Sequence, residues 1–356
     1  MQPEGYAAFL FSILGQLTSQ FPQHRFLYIF NGPYDEKMVF AKNVLPIITG
    51  PKTSNSLRLQ YRFNYRIPAI LRKHKADVFV SMEGICSLRT KIPQCLLISD
   101  LAFINRPDKV KRSTARFYKK YMPAFLKKAN AIATVSTFSK NIIAERYKIA
   151  ADKISVVRPV VDDIFKPLDW DEQELIKEKY TQGRAYFFCN GKSNLINLLK
   201  AFSFFKKRQK SNMMLLIAGD TGENFKKEFN TYKFREEVKL LEDIDKAELV
   251  KVTGAAYAMI HPVIYDDIAL PPLQALQCQV PVILAAAGSS PSVFGEAALY
   301  INSENHEDIA QKMMLVFKDE DKTKELVKAG NEILKQHELK KNADLLMQCI
   351  LKAINN

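Results

Sequence analysis

The residues best suited to chemistry are Gly191, Lys192 and Ser193, which follow an apolar run and precede a helical stretch that begins near Leu195. Backbone amides at the start of a helix, together with one lysine, can hold a phosphate group. A P-loop also needs a glycine five residues before Gly191, and Tyr186 stands there, inside a predicted strand. The turn is therefore interpreted either as a phosphate contact or as a simple loop, and a P-loop nucleoside triphosphatase is disfavoured.

Other common site chemistries have little support in the sequence. It contains neither G-x-G-x-x-G nor G-x-S-x-G, which disfavours a nicotinamide or flavin site and an α/β-hydrolase. The five cysteines form no C-x-x-C pair, and the five histidines form no H-x-x-x-H pair. Each histidine is interpreted as a surface or packed residue. We expect no disulfide framework, no metal and no bound cofactor, although a site made of carboxylates alone stays open.

These residues must be positioned by an α/β architecture, because short β-rich runs alternate with amphipathic helical stretches along the chain. The predicted strands comprise residues 25–30, 77–81, 95–99, 131–135, 154–157, 186–189, 213–218, 238–241, 256–261 and 280–284. This alternation predicts two doubly wound sheets. Ligands of such folds bind beyond the carboxyl ends of strands, so function is expected in the loops that follow them.

The length of 356 residues suits two domains. The pattern breaks at residues 160–168, before a charged helix over 171–180. We predict an N-terminal Rossmann-like domain over 1–165, a C-terminal Rossmann-like domain over 166–340, and a final helix over 341–356 that packs back toward the N-terminal domain.

The net charge of +14 is concentrated in one segment. Residues 51–130 contain eighteen lysines and arginines but four acidic residues, an excess equal to that of the whole chain. Such a block is either a solvated face or a surface for an anionic partner: lipid headgroups, a phosphorylated carrier or nucleic acid. No apolar run is long enough to span a membrane, and the first residues do not resemble a signal peptide. We expect a cytoplasmic protein, peripheral at the inner face of the membrane.

The most specific stretch runs from Tyr265 to Ala298 and includes Asp-Asp-Ile-Ala-Leu-Pro-Pro-Leu-Gln-Ala, Val-Pro-Val-Ile and Gly-Glu-Ala-Ala. It resembles the donor-site region of the family 4 (group 1) retaining glycosyltransferases. The resemblance extends in order over nearly the whole chain, through residues 99–103, 133–140, 152–157, 194–195 and 199–202. It implies the GT-B fold, in which two Rossmann-like domains face a central cleft.

The resemblance also implies roles for residues of the donor motif. Its first acidic residue, near the transferred sugar, matches Asp266, and its second, which grips the nucleotide ribose, matches Gln274. Between them, the backbone beside Ala269 and Leu270 is expected to approach the sugar diphosphate. Asp267 replaces a glycine of the family, which brings a bulkier and charged side chain near an anion.

Three further departures concern other loops. The family carries an arginine and a lysine that neutralise the diphosphate, whereas this shorter loop offers Lys192 with Gly191 and Ser193. A His-Asp pair that faces the donor sugar is replaced by Ser99 and Asp100. Of the glycine-rich turn on the acceptor side, Gly5 is retained. The strand that precedes this turn in the family is absent from the sequence, so either the start is misassigned or the first sheet is rearranged.

Three hypotheses follow, in this order. The first is a retaining glycosyltransferase that uses a nucleotide-sugar and a saccharide or lipid-linked acceptor, in cell-surface polysaccharide synthesis. The second is a catalytically inactive relative that serves as a binding or scaffold protein. The third is nucleic-acid binding through the basic segment, which lacks any accompanying recognition motif.

Overall fold

The computed structural model describes residues 6–39, 41–50, 55–191 and 193–355. The chain divides into two compact units. The N-terminal domain contains the described residues up to Val160 together with those from His337 onward, and the C-terminal domain runs from Val161 to Gln336.

The N-terminal domain contains seven α-helices and six strands within its described part. They are α1 (Tyr6–Gln20), β1 (Phe26–Phe30), β2 (Val44–Ile48), α2 (Ser56–Tyr61), α3 (Ile67–Lys73), β3 (Phe79–Ser81), β4 (Gln94–Ile98), α4 (Ala102–Asn105), α5 (Arg112–Lys128), β5 (Ala131–Thr134), α6 (Thr137–Tyr147), β6 (Ile154–Val156) and, at the end of the chain, α15 (Leu339–Asn355). A π-helical turn, Arg62–Arg66, joins α2 to α3. The strands form two separate parallel sheets, β1-β2 and β3-β4-β5-β6.

The C-terminal domain contains one parallel sheet of six strands. Its elements are α7 (Trp170–Thr181), β7 (Tyr186–Asn190), α8 (Leu195–Gln209), β8 (Met214–Ala218), α9 (Glu223–Asn230), β9 (Val238–Leu241), α10 (Lys246–Gly254), β10 (Ala258–His261), α11 (Leu270–Gln277), β11 (Val282–Ala285), α12 (Ser290–Phe294), β12 (Ala298–Ile301), α13 (His306–Lys318) and α14 (Glu320–Leu334). The spatial order is β12-β11-β10-β7-β8-β9, which is that of a doubly wound Rossmann-like sheet.

The core of the C-terminal domain lies against its central strand. The apolar run of β7 is buried from Tyr186 to Cys189. Phe187 meets Phe205 of α8 edge to face, with ring centroids 5.1 Å apart. A parallel strand covered by helices on both faces reads as a continuous apolar run, and this explains the composition of β7.

Helix α15 belongs to the N-terminal domain although it ends the chain. It packs on α1 and on strands β4, β5 and β6. At the contact with β4, the sulfur of Cys349 lies 3.6 Å from that of Cys95, and both thiols are free. The final helix was predicted over 341–356 and begins two residues earlier, at Leu339.

The predicted domain limits at 165/166 and 340/341 are corrected to 160/161 and 336/337. Asp162 belongs to the C-terminal domain because its carboxylate pairs with Lys246. His337 belongs to the N-terminal domain, since its Nδ1 bonds to the Pro159 carbonyl at 2.6 Å. Next to it, the Arg158 amide donates to Asn342 at 2.7 Å.

All ten predicted strands are confirmed, with ends displaced by at most two residues. Sequence reasoning missed β2 and β12. Proline is normally excluded from ladders, and Pro46 of β2 is tolerated because β2 is the edge of its sheet in the described part of the chain. Strand β12 is also an edge strand, and it directly follows the turn Gly295–Ala297.

Candidate functional site

The loop after β10 is organised by Asp266. One carboxylate oxygen, Oδ2, lies 3.1 Å from Nε2 of His261, the last residue of the strand. The other, Oδ1, accepts hydrogen bonds from the amides of Ile268 at 2.9 Å and Ala269 at 2.8 Å. Both oxygens are therefore engaged, one by the end of β10 and the other by amides of the loop.

The charge of Asp266 is stabilised by these contacts. Burial by itself would raise the pKa of this carboxyl group, but the hydrogen bond and charge of His261, with the amides of Ala269 and Ile268, outweigh burial and hold the pKa below its ordinary value. The side chain is about a quarter exposed. Asp266 is thus an ionised anchor for the loop at neutral pH.

Asp267 is directed into the protein interior. Its residue is 4% exposed, and its Oδ2 accepts a hydrogen bond from the Tyr265 hydroxyl at 2.7 Å. The Ser289 hydroxyl donates to the Asp267 carbonyl at 2.9 Å and fixes the backbone here. The Asp267 carboxylate is therefore held inside the protein by Tyr265 and does not project into solvent.

Ala269 has a left-handed backbone conformation, with φ of 47°, and stands immediately before α11. This region favours glycine, so the alanine carries backbone strain of about 1 kcal/mol. The next residues supply few donors, because Pro271 and Pro272 have no N–H. Leu270 is buried, and Gln274, half-buried, follows it one turn later on α11.

The loop after β7 meets the loop after β10. A Cβ placed on Gly191 would lie 3.8 Å from Cγ2 of Val263, so the two loops are neighbours. Ser193 is exposed. Lys192, the cation on which the prediction for this loop depends most, lies outside the described residues.

Asn194 joins three loops at the carboxyl edge of the sheet. Its Nδ2 donates to the carbonyl of Pro262 at 3.0 Å, after β10, and to that of Ser303 at 2.6 Å, after β12. Its Oδ1 accepts from Asn197 Nδ2 at 3.0 Å. Asn194 also adopts φ of 63°, which asparagine tolerates better than most residues. Gly191, Ser193 and Asp266 are thereby brought to one edge of one sheet.

In the N-terminal domain, Ser99 and Asp100 follow β4 at the carboxyl edge of that sheet. Asp100 is exposed and accepts a hydrogen bond from the amide of Ala102, the first residue of the short helix α4. The Tyr6 hydroxyl donates to the carbonyl of Met82, just after β3. This bond places the start of α1 at the same edge of the domain. Gly5 lies outside the described residues.

The basic segment presents a cationic face on α5. Five of its basic residues are exposed and share one side of the helix: Arg112, Arg116, Lys119, Lys120 and Lys127. Helix α2 adjoins α5, since Gln60 Nε2 donates to the Tyr121 hydroxyl at 3.1 Å. From α2 into the π-helical turn, Leu57, Tyr61 and Tyr65 repeat every four residues and are exposed by 75%, 58% and 48%.

These eight exposed residues, on two helical segments of the N-terminal domain, are here called the basic-aromatic face. Arg89 extends it, with its guanidinium 4.5 Å from the centre of the Tyr65 ring. In the described part of the chain, no helix has the length and apolar character needed to cross a bilayer.

Sequence reasoning missed two residues of the C-terminal edge. His261 was interpreted as a surface or packed residue, and it is buried but contacts Asp266. Asn194 was noted only in the resemblance, whereas its side chain binds carbonyls 68 and 109 residues away in sequence. A polar residue at the end of a buried strand was the available signal for His261. No local signal pointed to the partners of Asn194.

Comparison with known proteins adds two family matches. Residues 189–333 match the family described as glycosyl transferases group 1. Residues 23–164 match the family described as glycosyltransferase family 4.

Individual proteins are similar over most of the chain. The O-antigen chain mannosyltransferase RfbU of Salmonella typhimurium is 23% identical over 279 residues, which cover 76% of this chain and 75% of that protein. The crystal structure of WaaG, a glycosyltransferase involved in lipopolysaccharide biosynthesis, matches with a TM-score of 0.75 at 13% identity, over 98% of this chain and 97% of that one. HepE of Anabaena, crystallised with UDP-glucose, matches with a TM-score of 0.74 at 12% identity, over 98% and 96%.

Proposed function

We propose, since this chain belongs to the group 1 glycosyltransferases and has their GT-B fold of two Rossmann-like domains, that it transfers a sugar from a nucleotide-sugar to a saccharide acceptor with retention of configuration. The observation that carries the proposal is the junction made by Asn194. It holds the loop of Gly191 and Ser193 beside the loop of Asp266, at the edge of the sheet where doubly wound folds bind ligands.

In this proposal the donor diphosphate lies against the loop after β7 and the start of α11. Lys192 supplies the cation, and the amide of Leu270, which is not among the donors to Asp266, supplies a hydrogen bond. Gln274 bonds the ribose hydroxyls through its amide group.

During transfer the bond between the anomeric carbon and the diphosphate oxygen breaks, and the leaving diphosphate takes the electron pair. The acceptor hydroxyl oxygen forms the new bond, and its proton passes to the departing phosphate. Lys192 stabilises the charge that develops on the diphosphate, which is the largest type of catalytic contribution. Both oxygens of Asp266 are held by His261 and backbone amides, so we assign it a positioning role for the loop beside the sugar.

We further propose that the acceptor is a lipid-linked saccharide of surface polysaccharide synthesis at the inner face of the membrane. RfbU and WaaG, named for O-antigen and lipopolysaccharide synthesis, support this acceptor class. The basic-aromatic face supports a membrane position, because lysine and arginine attract anionic lipid headgroups and tyrosine favours the interface.

One observation favours an inactive relative as the second candidate. The amides of Ile268 and Ala269 are used by Asp266, and Pro271 and Pro272 have none, so the start of α11 offers an anion few donors. Such a protein would retain the frame and the basic-aromatic face without turning over a donor.

Titration calorimetry with UDP- and GDP-sugars, followed by an assay for release of nucleoside diphosphate, tests the donor site. We expect binding that Lys192→Ala weakens at least tenfold, or about 1.4 kcal/mol. Lys207→Ala, which removes an exposed lysine at the other end of α8, is the control and should leave binding unchanged. Binding without turnover would favour the inactive relative, and no binding by folded protein would contradict the proposed donor site.

Flotation with anionic vesicles tests the membrane proposal separately. The double change Arg116→Glu and Lys120→Glu on α5 should weaken vesicle binding by tenfold or more, because each basic residue near the surface contributes about 1 kcal/mol. The matched control changes Lys324 and Lys328, exposed and equally spaced on α14, to glutamate. Equal loss in both variants, or in neither, would overturn a specific role for this face.

A further inference from the structure

Two free cysteines meet inside the N-terminal domain. Cys95 lies in β4 and Cys349 in α15, and their sulfur atoms are 3.6 Å apart although 254 positions separate them in sequence. All five cysteines of the chain belong to its described part, and no other two of them are hydrogen-bonded through sulfur. The contact is therefore particular to this pair.

Both sulfur atoms are carried by regular structure. Strand β4 lies between β3 and β5, where Cys95 is paired with Val80 on one side and with Ala131 on the other. Cys349 belongs to the buried stripe of α15, the helix that packs on strands β4, β5 and β6. The two backbones that carry the thiols are thus fixed against each other.

A disulfide requires only a small movement from this arrangement. The sulfur–sulfur bond of a disulfide is about 2.05 Å long. The sulfur atoms of Cys95 and Cys349 must therefore approach by about 1.5 Å. Rotation of the two side chains, with a slight shift of α15 on the sheet, supplies a displacement of this size.

The charge distribution of the pair also favours reaction. In the hydrogen bond between the two sulfur atoms, Cys349 is the acceptor. This bond outweighs burial and, with the Ser155 side chain and the charge of Lys352, lowers the pKa of the Cys349 thiol. The same bond, together with burial, raises the pKa of the Cys95 thiol. Cys349 is therefore the first of the two to form a thiolate, which is the species that attacks an oxidant.

We propose that Cys95 and Cys349 form an oxidation site, at which a peroxide converts the two thiols into a disulfide that fastens α15 to β4. The Cys349 thiolate attacks one peroxide oxygen, the O–O bond breaks, and a sulfenic acid forms while hydroxide leaves. The Cys95 sulfur then attacks the Cys349 sulfur, so that the S–S bond forms, the S–O bond breaks and a second hydroxide leaves. The protons of the two thiols convert both hydroxides into water, and the peroxide is the species that is reduced.

Burial restricts which oxidant can react. Cys95 is fully buried and Cys349 is 1% exposed, so a bulky reagent cannot reach either sulfur while α15 stays on the sheet. Hydrogen peroxide is small and uncharged, and brief local openings of α15 admit it. The disulfide can form whether or not the protein transfers a sugar, because neither cysteine belongs to the proposed donor site.

Peptide mapping of the folded protein after treatment with hydrogen peroxide tests the proposal. We expect one linked pair of peptides, which contains Cys95 and Cys349 and which dithiothreitol separates again. Cys349→Ala should form no linkage. Cys278→Ala removes a cysteine that is also buried but lies in the C-terminal domain. This matched control should form the linkage as the unchanged protein does.

Hydrogen exchange measures whether the linkage fastens the last helix. Amides of α15 should exchange at least tenfold more slowly in the oxidised protein than in the reduced protein, because the cross-link keeps the helix from leaving the sheet. Amides of α8, in the C-terminal domain, should exchange alike in both forms. Equal exchange of α15 in the two forms would overturn the fastening role.

Three results of the mapping would overturn the oxidation site. A linkage of Cys86 to either thiol would assign the reaction to another pair. Oxidation of Cys349 to a sulfinic acid, with Cys95 still reduced, would show that the two sulfur atoms do not join. A linkage that forms only in urea, or no reaction of either thiol in the folded protein, would leave the pair a packing contact. These results come from the unchanged protein, so they do not depend on the folding of a variant.

Discussion

The two domains differ in how their strands join: the C-terminal domain has one sheet of six strands, whereas the described strands of the N-terminal domain form two separate sheets, of two and four strands. In the C-terminal sheet, β7 lies between β8 and β10, and all five residues of β8 are buried. In the N-terminal domain, β1 has β2 as its one strand partner among the described residues, and although its sequence is equally apolar, all five of its residues are half-buried. The burial of a strand therefore depends on its neighbours in the sheet as well as on its own composition.

The largest expected difference between the domains comes from truncating a central aromatic residue. Phe187→Ala in β7 removes a fully buried ring and should cost about 3–5 kcal/mol of the unfolding free energy of the C-terminal domain. The same truncation of half-buried Phe30 in β1 should cost clearly less. Urea unfolding with hydrogen exchange read separately in each domain measures both, and equal losses would contradict the comparison.

The second difference is in the response to acid. Burial lowers the pKa of His337 in the N-terminal domain from its ordinary 6.5 to about 4. The unfolded chain therefore binds this proton at a higher pH than the folded chain does. The resulting stability is present above pH 6.5 and is lost as the pH falls from 6.5 to 4, by roughly 3 kcal/mol.

In the C-terminal domain the pKa of the Asp266 carboxyl group is also lowered, but from an ordinary value of 3.8, which is already below the pH range in which His337 acts. Its contribution is present above that value and is lost only as the pH falls through the folded pKa. Domain-resolved exchange between pH 7 and 4 should thus show the N-terminal domain weakening first. His337→Gln should reduce that slope, while His24→Gln, at an exposed position, should leave it unchanged; an unaltered slope in His337→Gln would contradict the assignment.

A third variant tests the junction of loops in the C-terminal domain. Asn194→Ala leaves the carbonyls of Pro262 and Ser303 without their donor and should cost about 1–3 kcal/mol. Nucleotide-sugar binding should weaken with it, because the loops after β7 and β10 lose their link. Asn194→Gly also lacks the side chain but adopts the left-handed backbone without strain, so it separates the lost hydrogen bonds from the backbone strain that alanine adds. If Asn194→Gly is as stable as the unchanged protein, the hydrogen bonds are unimportant.

The smallest expected effect is a gain. Ala269→Gly should relieve left-handed strain and stabilise the C-terminal domain by about 1 kcal/mol or less. Lys148→Gly, at φ of 55° after α6, is the matched change in the N-terminal domain. Thermal unfolding should show a small rise for both, and a fall for Ala269→Gly alone would indicate that the Ala269 methyl group, fully buried, contributes more than the strain costs.

Much of the fold could be predicted from the sequence. Continuous apolar runs such as 186–190 predict buried parallel strands because such strands are covered on both faces. The charged stretch at 171–180 predicted the helix that opens the second domain, where Asp169 and Glu172 form a capping box. The edge strands β2 and β12 were not predicted. In β2, Pro46 interrupts the apolar pattern.

The candidate site could be predicted only in part from the sequence. The order of residues 265–274 indicated which side chains belong to one loop, since turn residues and a helix start are local features. That Asp266 contacts His261, that Asp267 is buried against Tyr265, and that Asn194 links three loops was decided by the tertiary structure. The sequence by itself determined the elements and their order, which depend on local periodicity. Hydrogen bonds between residues distant in sequence, and the half-burial of β1, depend on how strands assemble, which only the folded chain decides.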